Sequence, residues 1–437
     1  MRRFWEFIYD LFVIPPLWLM LRTLGLFNAK VRRGIEGRSN LFEELARKVD
    51  ALPAGRRLWF HSSSMGEFEQ AKPIIAALKR RYPEIIIIAS FFSPSGYEHS
   101  KKYALANVIT YVPFDTGKGA RRFLDLVRPD IAVMVRYDVW PHLIWELQRR
   151  RVPTLLANAT MRRTTKRLLP VVRNFHRYIY NALDEILTVA DSDMEAFKGF
   201  RLNHPSIGVI GDTRYDQVCI RSTEARKRHL VPSSITEGKK VIVVGSSWPE
   251  DERVVLPAVL QIQATMDNVL LIVVPHEPSV EHLDDLEREL EGRTSFIRFS
   301  ALNEYNGERV IIVDSVGILL ILYASAHIAY VGGSFRQGIH NVLEAAVYGI
   351  PVLFGPRHRN SHEPLMLVDG GGAFVVNDSQ ELFRTLENLL TDEVARSTTG
   401  KRAEKFVQSH VGATDRFLEH LERCLDKGPD HLENRAR

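Results

Sequence analysis

Short apolar runs separated by amphipathic stretches govern the chain from Leu58 onward. Leu58–His61, Ile85–Phe92, Val108–Val112, Ile131–Val135, Thr154–Ala157 and Ile186–Val189 are β-rich and nearly continuous in hydrophobicity, the pattern of strands buried on both faces of a parallel sheet. The intervening segments carry helical spacing, so the first half reads as successive βαβ units. The alternation stops over Arg221–Lys240, a charged and polar stretch containing Pro232-Ser233-Ser234, which is the candidate interdomain linker. It restarts at Val241–Gly245, continues through Val269–Val274, Val310–Val313, Ile328–Val331 and Val352–Phe354, and ends in helical patterns around Gln380–Leu390 and Val394–Leu425. The expected fold is therefore α/β, with two doubly wound Rossmann-like domains. Residues 39–220 form the first, 221–240 the linker and 241–437 the second, with ligand expected in a central cleft at the carboxyl ends of the strands.

Ahead of this pattern, residues 1–38 join Arg2 and Arg3 to aromatic Phe4, Trp5, Phe7 and Tyr9, then to an apolar run from Leu11 to Leu21 interrupted by Pro15-Pro16 and closed by Arg22. Those eleven residues fall short of the roughly 20 that a bilayer crossing needs, and no small-residue cleavage site follows them, so a secretory signal peptide is not expected. The basic and aromatic flanks suit an interfacial or marginally inserted anchor, with the positive residues toward cytoplasm and anionic lipid. The competing reading is a first helix packed on the fold.

Composition narrows the class without fixing it. With 437 residues, 45% hydrophobic and 25% charged, the chain is an ordinary globular sequence of two or three domains. Its net charge of +5 is too small for a nucleic-acid coat. The charge is uneven: residues 1–38 are net +4 and residues 158–181 net +6, on a slightly acidic remainder. Arg162, Arg163, Lys166, Arg167, Arg173 and Arg177 interleave with Leu168, Leu169, Val172 and Phe175. A solvated helix face explains such a run, and so does attraction to an anionic membrane. Cys219 and Cys424 are distant and lack metal-ligand spacing, which fits a reducing compartment and offers no structural zinc site.

Candidate chemistry concentrates where strands end. His61-Ser62-Ser63-Ser64-Met65-Gly66-Glu67 lies at the first strand-to-helix turn. There Glu67 can serve as general base for an attacking hydroxyl, while Ser64-x-x-Glu67 also fits a capping box. Gly332-Gly333-Ser334-Phe335-Arg336-Gln337-Gly338-Ile339-His340-Asn341-Val342-Leu343-Glu344 follows the strand Ile328–Val331. Its glycines let amides approach a phosphate, a helix beginning near Gly338 or Ile339 is expected to offer its positive end, and Glu344 is placed to accept from a ribose diol. Neither GxGxxG nor GxxxxGK[ST] occurs, so dinucleotide and P-loop readings lack support. Gly245-Ser246-Ser247, Pro275-His276-Glu277 and Asp314-Ser315-Val316-Gly317 end other strands of the second half. Phe91–Tyr97 and Arg136–Pro141 end strands of the first half and can line an acceptor site, although Tyr97 and Trp140 also suit packing.

Taken together, these segments resemble the 3-deoxy-D-manno-octulosonic acid (Kdo) transferases. The resemblance rests on the apolar N-terminus, Gly37-Arg38, His61–Glu67, Phe91–Tyr97, Trp140-Pro141, Asn158-Ala159, Gly211–Asp216, Gly245–Ser247, Gly332–Ala346 and Gly355-Pro356. It implies the GT-B fold and transfer of Kdo from CMP-Kdo to a lipid A precursor, on the cytoplasmic face of the inner membrane. It implies Glu67 as catalytic base; Ser246, Ser247, His276, Val316, Gly317, Gly333, Ser334, Gly338, Asn341, Glu344 and Arg214 around the donor; and Arg38, Ser64, Gly66, Ser95 and Asp138 on the acceptor side. Inversion follows from the resemblance. Neither metal, cofactor nor nucleic acid is expected.

The sequence departs from the family pattern at three places. Tyr137-Asp138-Val139-Trp140-Pro141-His142 stands where many members have Thr-Glu-x-Trp-Pro-Asn, which shortens the carboxylate by one methylene. Pro275-His276-Glu277 stands for Pro-Arg-His, leaving His276 in place of a base-stacking arginine, and Ile318 replaces a glutamate after Asp-x-x-Gly. Two rival functions remain: a GT-B transferase using a UDP-sugar, and a noncatalytic membrane-surface or nucleic-acid-binding protein.

Overall fold

The computed structural model describes residues 2–336, 338–359 and 361–426; Gln337 of the glycine-rich motif lies outside them. Two units emerge from the internal contacts, residues 1–217 with 411–437 and residues 218–410. The first holds a seven-stranded sheet of β1 (Arg57–Ser62), β2 (Ile86–Phe91), β3 (Val108–Tyr111), β4 (Ile131–Val135), β5 (Thr154–Ala159), β6 (Glu185–Thr188) and β7 (Ser206–Val209). Its order is β3-β2-β1-β4-β5-β6-β7, all parallel. The second unit repeats the plan with β8 (Lys240–Ser247), β9 (Val269–Pro275), β10 (Phe296–Arg298), β11 (Val310–Ile312), β12 (Ile328–Val331), β13 (Val352–Phe354) and β14 (Ala373–Val375). Here the order is β10-β11-β9-β8-β12-β13-β14, again parallel.

Strand alternation fills both faces of the first sheet. Leu58, Phe60, Ile87, Ala89, Val133 and Leu155 enter one core, while Trp59, Ile86, Ile88, Ala132, Met134 and Leu156 enter the other. Each such aliphatic side chain removed from water contributes about 1.5–3 kcal/mol. In the second sheet Ile242, Val244, Leu271, Val273, Val310 and Tyr330 share a core with Val255, Leu256 and Val259 of the helix Pro249–Thr265. Strands β7, β10 and β14, which the hydrophobic pattern did not announce, are short edges with mixed or partial burial.

Two boundaries differ from the sequence expectation. The linker expected over residues 221–240 begins inside a helix, Thr213–Ala225, because Tyr215, Val218, Ser222 and Ala225 are buried at helical spacing despite the surrounding charge. The long pattern Val394–Leu425 is two helices, Glu393–Gln408 and Ala413–Asp426, parted at Gly412, whose φ of 98° favours glycine. The second of these helices belongs to the first unit, where Phe417, Leu418, Leu421 and Leu425 join the core beside Phe68 and Ile74.

The N-terminus reconciles both readings of it. Helix Arg2–Phe12 docks through Tyr9, which is 5% exposed and lies 5.8 Å from the Phe175 ring and 6.1 Å from Trp145; Asp10 reaches His142 at 2.7 Å. Helix Ile14–Phe27 takes Pro15-Pro16 in its first turn, where no donor N–H is needed, so the prolines start a helix rather than end one. It leaves Trp18, Leu19, Met20, Leu24, Leu26 and Phe27 exposed. The apolar stretch is consequently longer than the eleven residues counted in the sequence: Phe4–Phe27, 24 residues, is long and apolar enough to cross a membrane.

Candidate active site

In each sheet the strand order reverses beside the unit's first strand, between β1 and β4 in the first and between β8 and β12 in the second. Such switch points open a crevice at the carboxyl ends of the strands. His61–Glu67 follows β1 and Arg136–Trp140 follows β4, while Ser246-Ser247 ends β8 and the Gly332 loop follows β12. The motifs singled out from the sequence therefore occupy the positions where this fold builds sites.

In the first unit, Ser64 caps the helix Met65–Arg81 and forms the reciprocal box with Glu67. The Ser64 backbone N–H donates to Glu67 Oε2 at 2.8 Å, so the capping and catalytic readings of Glu67 coexist on one carboxylate. Glu67 is 5% exposed. Burial and, next, the negative charge of Asp138 raise its pKa, against opposing bonds from Ser64 and the charge of His61. A raised pKa brings a carboxylate nearer the range useful to a general base. Gly66 is exposed, with open space where a side chain would stand. Ser95 lies in the first turn of helix Pro94–Ser100, its hydroxyl 3.3 Å from that of Ser93, and the Ser93 N–H donates to the Ser63 carbonyl. Ser64, Gly66, Glu67, Ser95 and Asp138 thus lie at the strand-to-helix turns that follow β1, β2 and β4.

Arg38 does not present itself to a ligand. Its guanidinium donates to the carbonyls of Val112, Gly34 and Phe92 at 2.6–2.9 Å and lies over the rings of Phe92, Tyr111 and Phe114. That is a structural clamp, and desolvation pulls its pKa down to about 10.

In the second unit, Gly332 is required by close approach, since a Cβ there would land on the Ser246 carbonyl, and Gly333 by a φ of 91°. The loop then folds on itself: the N–H groups of Arg336 and Gly338 donate to Gly333 O, and that of His340 to Gly332 O. This corrects the expected helix at Gly338 or Ile339. The helix is only Leu343–Ala346, its Leu343 N–H donating to Asn341 Oδ1 at 3.1 Å, because Gly338 at a φ of 133° and these returning amides hold the preceding residues in a loop. No helix end is therefore presented at Gly338. Two serines also act inward, Ser334 Oγ accepting the Gly355 N–H at 2.6 Å and Ser247 Oγ donating to Glu252 at 2.6 Å. Ser246 sits in left-handed backbone at φ 54°, and Val316 and Gly317 are exposed. Glu344 is partly exposed and pairs with Arg221 at 3.4 Å.

The His276 ring stacks on His340 at 4.2 Å and 17° and lies 4.9 Å from Trp248. Trp248 donates its indole N–H to His340 Nε2 at 3.0 Å, and the Arg336 guanidinium caps the indole at 4.3 Å. Burial, then the neighbouring His276, lowers the His340 pKa to about 4, so at neutral pH it is an uncharged acceptor. Arg214, expected near the donor, belongs to the first unit and grips Asp212 through Nε and Nη2 at 2.6–2.8 Å.

Residues 34–217 match the family described as 3-deoxy-D-manno-octulosonic-acid transferase (kdotransferase). Over 441 aligned residues, 97% of this chain and 99% of the relative, the sequence is 28% identical to the 3-deoxy-D-manno-octulosonic acid transferase of Haemophilus influenzae. The chain is similar to Kdo transferases along nearly its whole length. The Aquifex aeolicus enzyme of the same name is 29% identical over 80% of this chain and 92% of its own. Among solved structures, a putative UDP-N-acetylglucosamine 2-epimerase from Listeria monocytogenes superposes with a TM-score of 0.60 at 13% identity, over 86% of this chain and 98% of that one. This likeness shows the GT-B-type fold alone. These matches support a Kdo transferase, and with it a glycosyltransferase, of lipopolysaccharide biosynthesis.

Sequence reasoning left several side chains without a role. His61 and His340 stood inside the quoted motifs, and Trp248 and Arg221 stood outside them. Their signal was position: His61 precedes the end of β1 by one residue, and Trp248 follows β8 directly.

Proposed function

We propose that this enzyme transfers Kdo from CMP-Kdo to the hydroxyl of a lipid A precursor, with inversion at the anomeric carbon, release of CMP and no metal ion. The observation that carries the reading is Glu67, a buried carboxylate at the β1/β4 switch point whose affinity for a proton is raised by burial and by Asp138. Glu67 takes the hydroxyl proton as the new bond forms, a contribution on the order of 100- to 10,000-fold. The second unit holds the donor. Glu344 accepts from the ribose diol, and the Trp248–His276–His340 stack, with Val316 and Gly317 after β11, the sheet neighbour of β9, offers the cytosine a flat face. Arg336, over Trp248, supplies positive charge where no helix end is available. The related proteins named for Kdo transfer support the donor class; the UDP-sugar alternative draws only on shared fold.

The enzyme works at an anionic membrane surface, the cytoplasmic face of the inner membrane. The exposed apolar helix Ile14–Phe27 and the basic residues 162–177, next to exposed Leu169, Val171 and Val172, support an interfacial seat. A full crossing by Phe4–Phe27 would strip Asp10 from His142 and Tyr9 from Phe175. Titration calorimetry with CMP and with UDP tests the donor assignment: CMP binding at least tenfold tighter supports it, and equal or reversed affinities overturn it.

A further inference from the structure

The surroundings of Asp138 point inward. His61, fully buried, places Nε2 2.9 Å from Asp138 Oδ2, and Asp138 itself is 13% exposed. Ser63 donates its hydroxyl to the same carboxylate oxygen. On the far side of the imidazole, Nδ1 lies 2.8 Å from Ser90 Oγ, which also receives the Trp59 indole N–H at 2.8 Å. A carboxylate only accepts, so Nε2 carries a proton, and Ser90 fixes the ring from behind. The Trp140 indole, a donor only, lies 3.1 Å from Nε2 and bonds to Asp138. Although burial works against it, the His61 charge and the bonds from His61, Ser63 and Trp140 hold Asp138 below the usual carboxylate range. An oxygen already given to His61 and Ser63 is poorly placed to serve as the principal acceptor contact.

We propose that His61 and Asp138 form a positioning pair for Glu67: the buried imidazole fixes the Asp138 carboxylate against the turn that carries Glu67, and Asp138 acts through Glu67 rather than by gripping the acceptor. The pair bridges the ends of β1 and β4, and Ser63 ties it to the turn that carries Glu67. The charged groups acting on Glu67 are Asp138, which favours its protonated form, and His61, which opposes it. The proposal rests on Glu67 being the base.

The test is the pH profile of kcat/KM, measured on the full chain with CMP-Kdo and detergent-dispersed lipid A precursor. Asp138→Asn removes a like charge beside Glu67, so the acid limb should move to lower pH by on the order of half a unit. His61→Gln leaves Asp138 uncompensated and should move the limb to higher pH, while Asp138→Glu should bring it back toward the parent position. Opposite shifts support the pair, and either one alone from a folded variant does so if the other fails to fold. An unmoved limb with a raised acceptor KM, or shifts in the same direction, overturns it. Glu67→Gln distinguishes the two failures: if that variant keeps normal turnover, the base assignment itself falls, whereas if it is inactive and the limbs stay put, only the pair falls.

Discussion

Glu67 Oε2 accepts the Ser64 backbone N–H at 2.8 Å, so the carboxylate assigned to proton transfer is also the cap of the helix behind it. The bond commits one oxygen and sets the direction of the other. It also separates the two roles experimentally, because glutamine completes a capping box as glutamate does. Glu67→Gln should keep the parent melting temperature and lose at least about 100-fold in turnover. Glu67→Ala should lose activity and, in addition, about 1 kcal/mol of stability. Turnover assays paired with thermal melts read both, and a folded, active Gln variant contradicts the assignment.

Glu344 and Arg221, 3.4 Å apart, make the donor side testable alone. Glu344→Ala should weaken CMP binding by about 10- to 100-fold, the range for hydrogen bonds to a charged group. Calorimetry with CMP measures it, and unchanged affinity removes Glu344 from the site.

The N-terminal helices present two faces with different expected outcomes. Leu19→Glu combined with Leu26→Glu, both on exposed positions, should shift protein from membranes to the soluble fraction without altering the melting temperature. Tyr9→Ala, which empties a packed site against Phe175 and Trp145, should cost about 3 kcal/mol. Residual membrane association through residues 162–177 should fall with salt, as electrostatic attraction is screened. Fractionation at low and high salt, with melts alongside, distinguishes the faces; a soluble parent protein at low salt would make the exposed helix no anchor.

Excess EDTA should leave transfer unchanged. Loss of activity that Mg²⁺ restores would replace the metal-free mechanism.

The sequence carried the parallel-sheet plan because interior strands such as Ile131–Val135 are apolar throughout, whereas edges such as Phe296–Arg298 are only partly buried and leave a weak pattern. The positions of Glu67 and the Gly332 loop were legible because strand ends and glycines mark such turns. What could not be read was which polar groups spend themselves inside the protein. Arg38, Ser247 and Ser334 were implied as ligand contacts by the family resemblance, yet each satisfies a buried neighbour, a matter of tertiary geometry. The absent helix at Gly338 has the same origin: returning amides in a loop leave no periodic trace. Similarly, the His61–Asp138 and His276–His340 pairings join residues distant in sequence.

The central claim is most directly tested by mass spectrometry of a tetraacylated lipid A precursor incubated with the protein and freshly made CMP-Kdo. The account predicts product heavier by one or more Kdo residues, formed with equivalent release of CMP and abolished by Glu67→Gln. An unmodified acceptor with CMP-Kdo, or transfer of a different sugar from a UDP donor under the same conditions, would contradict it.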